Sequence, residues 1–369
     1  MDPLMSPRSP QLNVAVIGAG AIGLEHLASF QQHPHARLAA LAETSPERGR
    51  VAAEKFGVAE LVTDYRVLLD RPDIDIVSIA LPNCLHAPVA LAALAAGKHV
   101  MLEKPMATSA TEAAALAAAA VRAGRVLMVG QNNRFAPEVQ TARRLIDEGV
   151  LGEVYHAKTA WTRRTGIPRI GSWFTQRKFA GGGCVYDVGV HALDRCLFLM
   201  GEFDAVSVSG QTYAKFGGRG LGAGNWGRSE VDPHAVFDVD DLAVALIKLR
   251  SGRTVLLESS WAAHQPDPDF NGTQLFGTDA GLLFPPLRLF RQGAHGYQTE
   301  LVECGTPFVS ENRMVHFIDV VLGKAEPYIP VAESVAVQRI LDAIYESATT
   351  GREVRFENAV EASPAIPAS

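Results

Sequence analysis

From residue 11 to residue 133 the chain repeats one unit, a short apolar run followed by a longer stretch with helical spacing. "NVAVIGAG" leads into "GLEHLASFQQH", "RLAALAE" into "SPERGRVAAEKFG", "DIDIVSIALP" into "APVALAALAAG", and "KHVMLE" into "TSATEAAALAAAAVRAG", with "VLMVGQ" closing the series. Runs that are apolar at nearly every position belong to strands buried on both faces. Such strands separated by helices give a parallel sheet, because each crossover must return along the sheet and its helix covers one face. The punctuation agrees: Ser45 suits an N-cap, Pro46 a first turn, Gly57 a stop, and Ser109 or Thr108 the cap of a later helix. The expected fold class is α/β followed by α+β, with a doubly wound parallel sheet over residues 11–133.

The first strand runs into Gly18, Gly20 and Gly23, a GxGxxG spacing that also opens a helix. Glycines there permit a tight turn and close backbone approach, while the free N–H groups at the helix start, around Ala21 and Ile22, suit a pyrophosphate. Glu43 ends the second strand, twenty residues after Gly23. Its carboxylate can accept hydrogen bonds from an adenosine ribose and would repel a 2′-phosphate, so the expected cofactor is NAD. Thr44, Ser45 and Arg48 follow closely enough to hold such a phosphate instead, which leaves NADP as the alternative.

Ligands of doubly wound sheets bind beyond the carboxyl ends of the strands. Leu81, Pro82, Asn83 and His86 follow one such end, Glu103 and Lys104 another, and Gln131 a third, and all are assigned to the cofactor side. Lys104 precedes Pro105, which disfavours helical backbone at the lysine and holds its ammonium out from the strand end.

After residue 135 the pattern changes. Two helices, "PEVQTARRLIDEG" and "YDVGVHALDRCLFLMG", are mixed with strand-like runs, a hairpin about "RSGR", and a final amphipathic helix, "AESVAVQRILDAIYESATTG". We expect a second domain over residues 134–369, mainly antiparallel, with residues 1–10 a frayed tail. Residues 217–239 are glycine-rich and aperiodic, the mark of a long functional loop. Asp187 and His191 are four apart in a helix and so share a face. An imidazole near neutrality is a natural acceptor for an alcohol proton, and a neighbouring carboxylate would orient it. Trp161, Arg163, Arg164, Trp173 and Phe174 offer aromatic faces beside charged donors, which suits a polyhydroxylated ring. His264, Asn225 and Trp226 are secondary candidates.

The composition excludes other classes. A chain of 369 residues has room for two cores. A net charge of −6 with no dense Lys/Arg run gives no electrostatic case for nucleic acid. Four cysteines without a CxxC pair argue against a zinc site or a disulfide framework and fit a cytoplasmic protein. The Ala-rich run at 113–120 is too short to span a bilayer.

"AGKHVMLEKPMA", the preceding "LPNCLHAPVALAALAAG" and the later "GGGCVYDVGVHALDRCLFLMG" together resemble the Gfo/Idh/MocA oxidoreductases, over about residues 11–357. The resemblance implies a Rossmann domain, then a large open, mostly antiparallel sheet whose face makes homodimer or homotetramer contacts. It also implies that Lys104, Asp187 and His191 are catalytic, and that a hydride moves between NAD(P) and a secondary alcohol of a sugar or cyclic polyol. Two rivals remain: an NAD-dependent glycosidase using transient oxidation and elimination, and a non-enzymatic dinucleotide-sensing regulator.

Overall fold

The computed structural model describes residues 11–227 and 229–356. Strands β1 (Leu12–Ile17), β2 (Ala36–Ala42), β3 (Glu60–Val62), β4 (Ile76–Ile79), β5 (His99–Leu102) and β6 (Leu127–Val129) form a parallel sheet in the order β3-β2-β1-β4-β5-β6. Five of these are the apolar runs read from the sequence; β3 is a three-residue edge strand with no such run. Helices α1 (Ala21–Phe30), α2 (Pro46–Phe56), α3 (Arg66–Leu69), α4 (His86–Ala95) and α5 (Ala110–Ala123) connect them. The Ser45 and Ser109 hydroxyls cap α2 and α5, and Gly57 and Gly124 end these helices in the left-handed conformation that glycine adopts without steric cost. The strand order reverses between β1 and β4, so the carboxyl ends of these two strands flank a crevice.

The second half builds one nine-stranded sheet. It begins with α6 (Pro137–Asp147), β7 (Val154–Arg163), the short β8 (Ile167–Pro168), α7 (Arg177–Ala180) and α8 (Val190–Met200). Then come β9 (Ala205–Tyr213), the short β10 (Ala223–Gly224), β11 (Leu242–Leu249), β12 (Thr254–Ser260) and β13 (Asp269–Gly277). The chain ends with β14 (Gly281–Phe284), β15 (Arg288–Gly293), β16 (Gly296–Leu301), α9 (Arg313–Val321), α10 (Val331–Thr350) and β17 (Val354–Arg355). The order is β16-β15-β14-β13-β7-β12-β11-β9-β17, antiparallel except for the β7–β12 pair. The hairpin expected about "RSGR" is β11–β12. Burial alternates along β11, so Ala243, Ala245 and Ile247 face the core while Val244 and Leu246 face outward. Leu193 and Leu197 of α8 share one buried core with Ile247, Val255 and Leu275, each such side chain contributing about 1.5–3 kcal/mol by leaving water.

Helix α9 was not apparent from the sequence. It crosses back to the first sheet, where Met314, Phe317 and Ile318 join the core of Val14, Val16, Leu27 and Phe30. The sequence division at residue 133 therefore follows the chain and not the packing.

Candidate active site

A cleft of about 750 Å3 lies between the glycine loop, the ends of β4 and β5, and the start of α8. The glycine loop is a cradle that other residues would fill. Gly18 has φ +97°, and a Cβ there would lie 2.3 Å from the Ala80 carbonyl oxygen. A Cβ on Gly20 would meet no atom of the described residues within 4 Å, so this face is open to a ligand. Gly23 packs against the Gly18 carbonyl and does not line the cleft; it lets the helix sit close to the strand.

Glu43 stands beside the glycine loop, at the end of β2. Its carboxylate accepts from Ala19 N (2.8 Å), Ser45 N (2.9 Å) and Arg48 Nη2 (2.7 Å). Burial alone would raise its pKa, but these donors, Arg48 first, bring it down to about 2. Arg48 is thus committed to Glu43, and a second carboxylate, Glu230, lies 3.9 Å from it. Two anions around one guanidinium disfavour a 2′-phosphate. The residues present fit NAD.

The second domain presents its chemistry on a wide turn. Residues Val185–Gly189 form a π-helical turn that runs straight into α8. Asp240 holds this turn, accepting from Gly183 N (2.8 Å) and Val185 N (3.1 Å), and a Cβ on Gly183 would lie 2.0 Å from the Asp240 carbonyl oxygen. The glycine run before the helix therefore serves close approach. Asp187 and His191 both line the cleft, but the extra residue in the turn takes them out of α-helical register.

Lys104 crosses the cleft to meet them. Its Nζ donates to Asp187 Oδ1 (2.9 Å) and to the Asp187 carbonyl oxygen (2.8 Å). The other carboxylate oxygen, Oδ2, accepts from Trp261 Nε1 (2.8 Å). Burial would raise the Asp187 carboxyl, yet the Lys104 charge and these two donors hold it below the ordinary carboxylate value. The sequence reading had Asp187 hold His191; instead its two carboxylate oxygens take hydrogen bonds from Lys104 and Trp261. His191 Nδ1 is buried without a hydrogen-bond partner among the described residues. Burial, then the Lys104 charge, pushes this imidazole well below its ordinary value, so it is neutral at pH 7.

Glu103 borders the cleft with its oxygens turned inward, a role the sequence did not show. Oε1 accepts from Arg313 Nη2 of α9 (2.7 Å) and contacts His26 Nε2 (2.9 Å), while Oε2 accepts from Lys104 N (3.1 Å). Burial opposes ionisation here; Arg313, then His26 and Lys104, overcome it. Glu103 thus fixes the backbone that presents Lys104.

The remaining candidates divide. Ala21, Ile22, Thr44, Leu81, Pro82 and Asn83 line the cleft, as do Trp161, Arg163, Trp173 and Phe174. Arg163 pairs with Asp269 (3.3 Å) and lies over the Trp161 ring, whose centroid is 5.5 Å from that of His191. Trp173 stacks on Phe174, and Trp226 meets Phe174 edge-on. Four residues are engaged elsewhere and do not line the cleft. His86 is pinned between the carbonyls of Pro105 and Leu81. Gln131 accepts from Ser334, Arg164 donates to the Gln265 and Pro266 carbonyls, and His264 packs edge-on to Phe216.

A family description, "Oxidoreductase family, NAD-binding Rossmann fold", matches residues 12–131, and the C-terminal domain of the same family matches residues 139–283. The chain belongs to the Gfo/Idh/MocA family. It is similar to D-glucoside 3-dehydrogenase of Escherichia coli (strain K12), 32% identical over 353 residues that cover 94% of this chain and 98% of that one. It is also similar to levoglucosan dehydrogenase of Pseudarthrobacter phenanthrenivorans, 32% identical over 291 residues covering 74% of this chain and 73% of that one. A solved levoglucosan dehydrogenase complex with NADH and levoglucosan superimposes with a TM-score of 0.80 at 27% identity, covering 94% of this chain and 99% of that one. The chain is an NAD-binding oxidoreductase of this family, with its Rossmann domain and large, mostly antiparallel second sheet.

Proposed function

We propose that the protein oxidises a secondary ring hydroxyl of a glucoside, or reduces the corresponding keto-sugar, with NAD. The observation that carries this reading is the Lys104–Asp187 contact beside a neutral His191, in the same cleft as the glycine loop and Glu43. The full-length likeness to a D-glucoside 3-dehydrogenase supports the substrate class. When bound, the nicotinamide supplies the hydride acceptor. His191 takes the hydroxyl proton. An ammonium has three N–H donors, and Lys104 spends two on Asp187, so one is left for the substrate oxygen as it gains charge. Trp161 offers the sugar an apolar face, and Arg163 and Asp269 offer it polar edges.

The test follows absorbance at the NADH band with methyl and aryl glucosides, anhydrosugars, free hexoses and inositols. NADH should form fastest with a glucoside. Hydrolysis of a glycoside with no net NADH would instead establish the glycosidase rival.

The pH profile follows from the imidazole. A base works only when deprotonated, and burial favours the neutral form, so activity is lost only as pH falls through a value well below about 6.5. The acid limb of kcat/KM should lie well below the ordinary imidazole value. A limb near 7 or above would remove His191 from the role.

The outer face of the large sheet is our proposed self-association surface. Val244, Leu246, Leu256 and Phe270 are each 37–41% exposed there, around a depression of about 840 Å3. Such an apolar patch on a sheet face favours pairing with a second copy. Sedimentation should show an oligomer that Leu246→Glu with Leu256→Glu converts to monomer. A monomeric parent protein would refute this.

A further inference from the structure

We infer that Trp261 is a positioning residue: its indole N–H locks the Asp187 carboxylate toward Lys104 and away from His191. The inference rests on the proposed function for its kinetic arm only.

Trp261 follows β12 and is fully buried, with its backbone N–H donating to the Asp241 carbonyl (2.8 Å). Asp241 is fixed in turn, since its carboxylate accepts the backbone N–H groups of Lys215, Phe216 and Gly217. The indole is therefore placed by the sheet and by the start of the long loop, independently of the helix that carries Asp187. Its single N–H points at Asp187 Oδ2 (2.8 Å). An indole can only donate, so this contact selects an ionised, fixed carboxylate. With Oδ2 held, Oδ1 faces Lys104, and His191 Nδ1 is left unpartnered.

That division of partners has a chemical consequence. Were Asp187 free to rotate onto His191, it would stabilise the imidazolium and make the base harder to regenerate in neutral form. Held as it is, Asp187 balances Lys104, and the imidazole keeps its low proton affinity. The charged and titratable groups acting on Asp187 and His191 are, besides each other, Lys104 and Glu103 at the end of β5, Arg163 from β7 and Arg313 from α9, and the substitutions leave these four in place. A carboxylate freed from the indole has a weaker hold on its charge and a shorter path to the imidazole. Both effects move the acid limb of the rate profile upward, whereas loss of the carboxylate removes an attraction for the imidazolium and moves it downward.

The test is a double-mutant cycle of Trp261→Phe and Asp187→Asn, read by kcat and its pH profile with saturating NAD. Trp261→Phe should lower kcat about tenfold, leave the KM for NAD within twofold, and raise the acid limb. In the Asp187→Asn background the same change should cost less than twofold and leave the limb in place. Equal losses in both backgrounds would show a packing role alone and overturn the inference, as would wild-type kcat in Trp261→Phe. If the phenylalanine variant fails to fold by thermal melting, benzothienylalanine at 261, which keeps the indole's shape without its N–H, replaces it.

A second arm needs no turnover, so it separates this inference from the choice of substrate. In ¹H–¹⁵N spectra the Trp261 indole N–H, assigned by its loss in the variant, should lie downfield in the wild type, where it donates to a carboxylate, and move upfield in Asp187→Asn. A resonance at the same position in both proteins would overturn the inference.

Discussion

Replacing Lys104 with Met is expected to lower kcat by about two to four decades while leaving NAD affinity within a few fold. Methionine keeps most of the stem and its packing, so the change removes mainly the ammonium. Three losses then coincide at one point. The developing alkoxide loses its one free N–H donor and a full positive charge, in a cleft where the lysine side chain is only 15% exposed and water screens poorly. Asp187 loses the partner that keeps it ionised against its burial, so its pKa rises and a larger share is neutral at working pH. His191 loses a neighbouring positive charge that helps keep it neutral, so its proton affinity rises too. The last two shifts predict that the acid limb of the residual activity moves up. Lys104→Arg would keep the charge but not the compact geometry that reaches both Asp187 oxygens, and should recover only part of the rate. Single-turnover NADH formation at saturating NAD measures the effect. A Met variant that retained more than a tenth of wild-type turnover would remove Lys104 from the chemistry.

Legibility of the structure in the sequence differs by level. The parallel sheet was readable because β1, β2, β4, β5 and β6 are apolar runs punctuated by strong caps, Ser45 and Ser109 among them. Edge strand β3 was not, because three residues carry no period. Helix α9 was missed because its apolar residues face a sheet nearly 300 residues earlier in the chain, and nothing local records that partner. In the site, Lys104 and Asp187 could be paired from the motif that each belongs to, but the direction of the Asp187 carboxylate could not. That direction is set by Trp261, which arrives from β12 with no motif of its own. The same limit explains His86 and Gln131. Both sit beside strand ends that border the cleft, as the sequence said, yet side chains there can turn inward to satisfy buried carbonyls or hydroxyls. Position along a strand is local information; rotamer choice depends on whatever the rest of the chain brings near.

The largest effect on stability is expected at Arg134, a residue without any motif in the sequence. It follows β6, and its guanidinium is fully buried. Nε and Nη2 form a two-pronged contact with the Asp194 carboxylate at 2.9 and 2.5 Å, while Nη1 reaches Glu333 and the Tyr328 carbonyl. Phe198 and Phe203 lie 5.1 Å from the guanidinium and exclude water. Asp194 lies on α8, one turn beyond His191, and Glu333 opens α10, so one side chain ties the first sheet to the catalytic helix and to the closing helix. Arg134→Met would leave Asp194 buried without its hydrogen-bonded counter-charge, with only the Arg195 charge still acting on it, and breaking such a buried pair typically costs about 3–5 kcal/mol. That is a large part of the roughly 5–15 kcal/mol that holds a folded protein together. The pH dependence gives the mechanism away. Burial already raises the Asp194 carboxyl above its ordinary value, with Arg134 opposing the rise. Without Arg134 it rises further, so the deficit relative to wild type should be greatest at neutral pH and shrink as pH falls and the acid takes up its proton. Chemical denaturation at pH 7.5 and pH 5 measures both quantities, and Arg134→Met with Asp194→Leu should recover much of the loss by removing the stranded charge. A single variant within about 1 kcal/mol of wild type at pH 7.5 would mean that the aromatic packing, and not the ion pair, holds this junction.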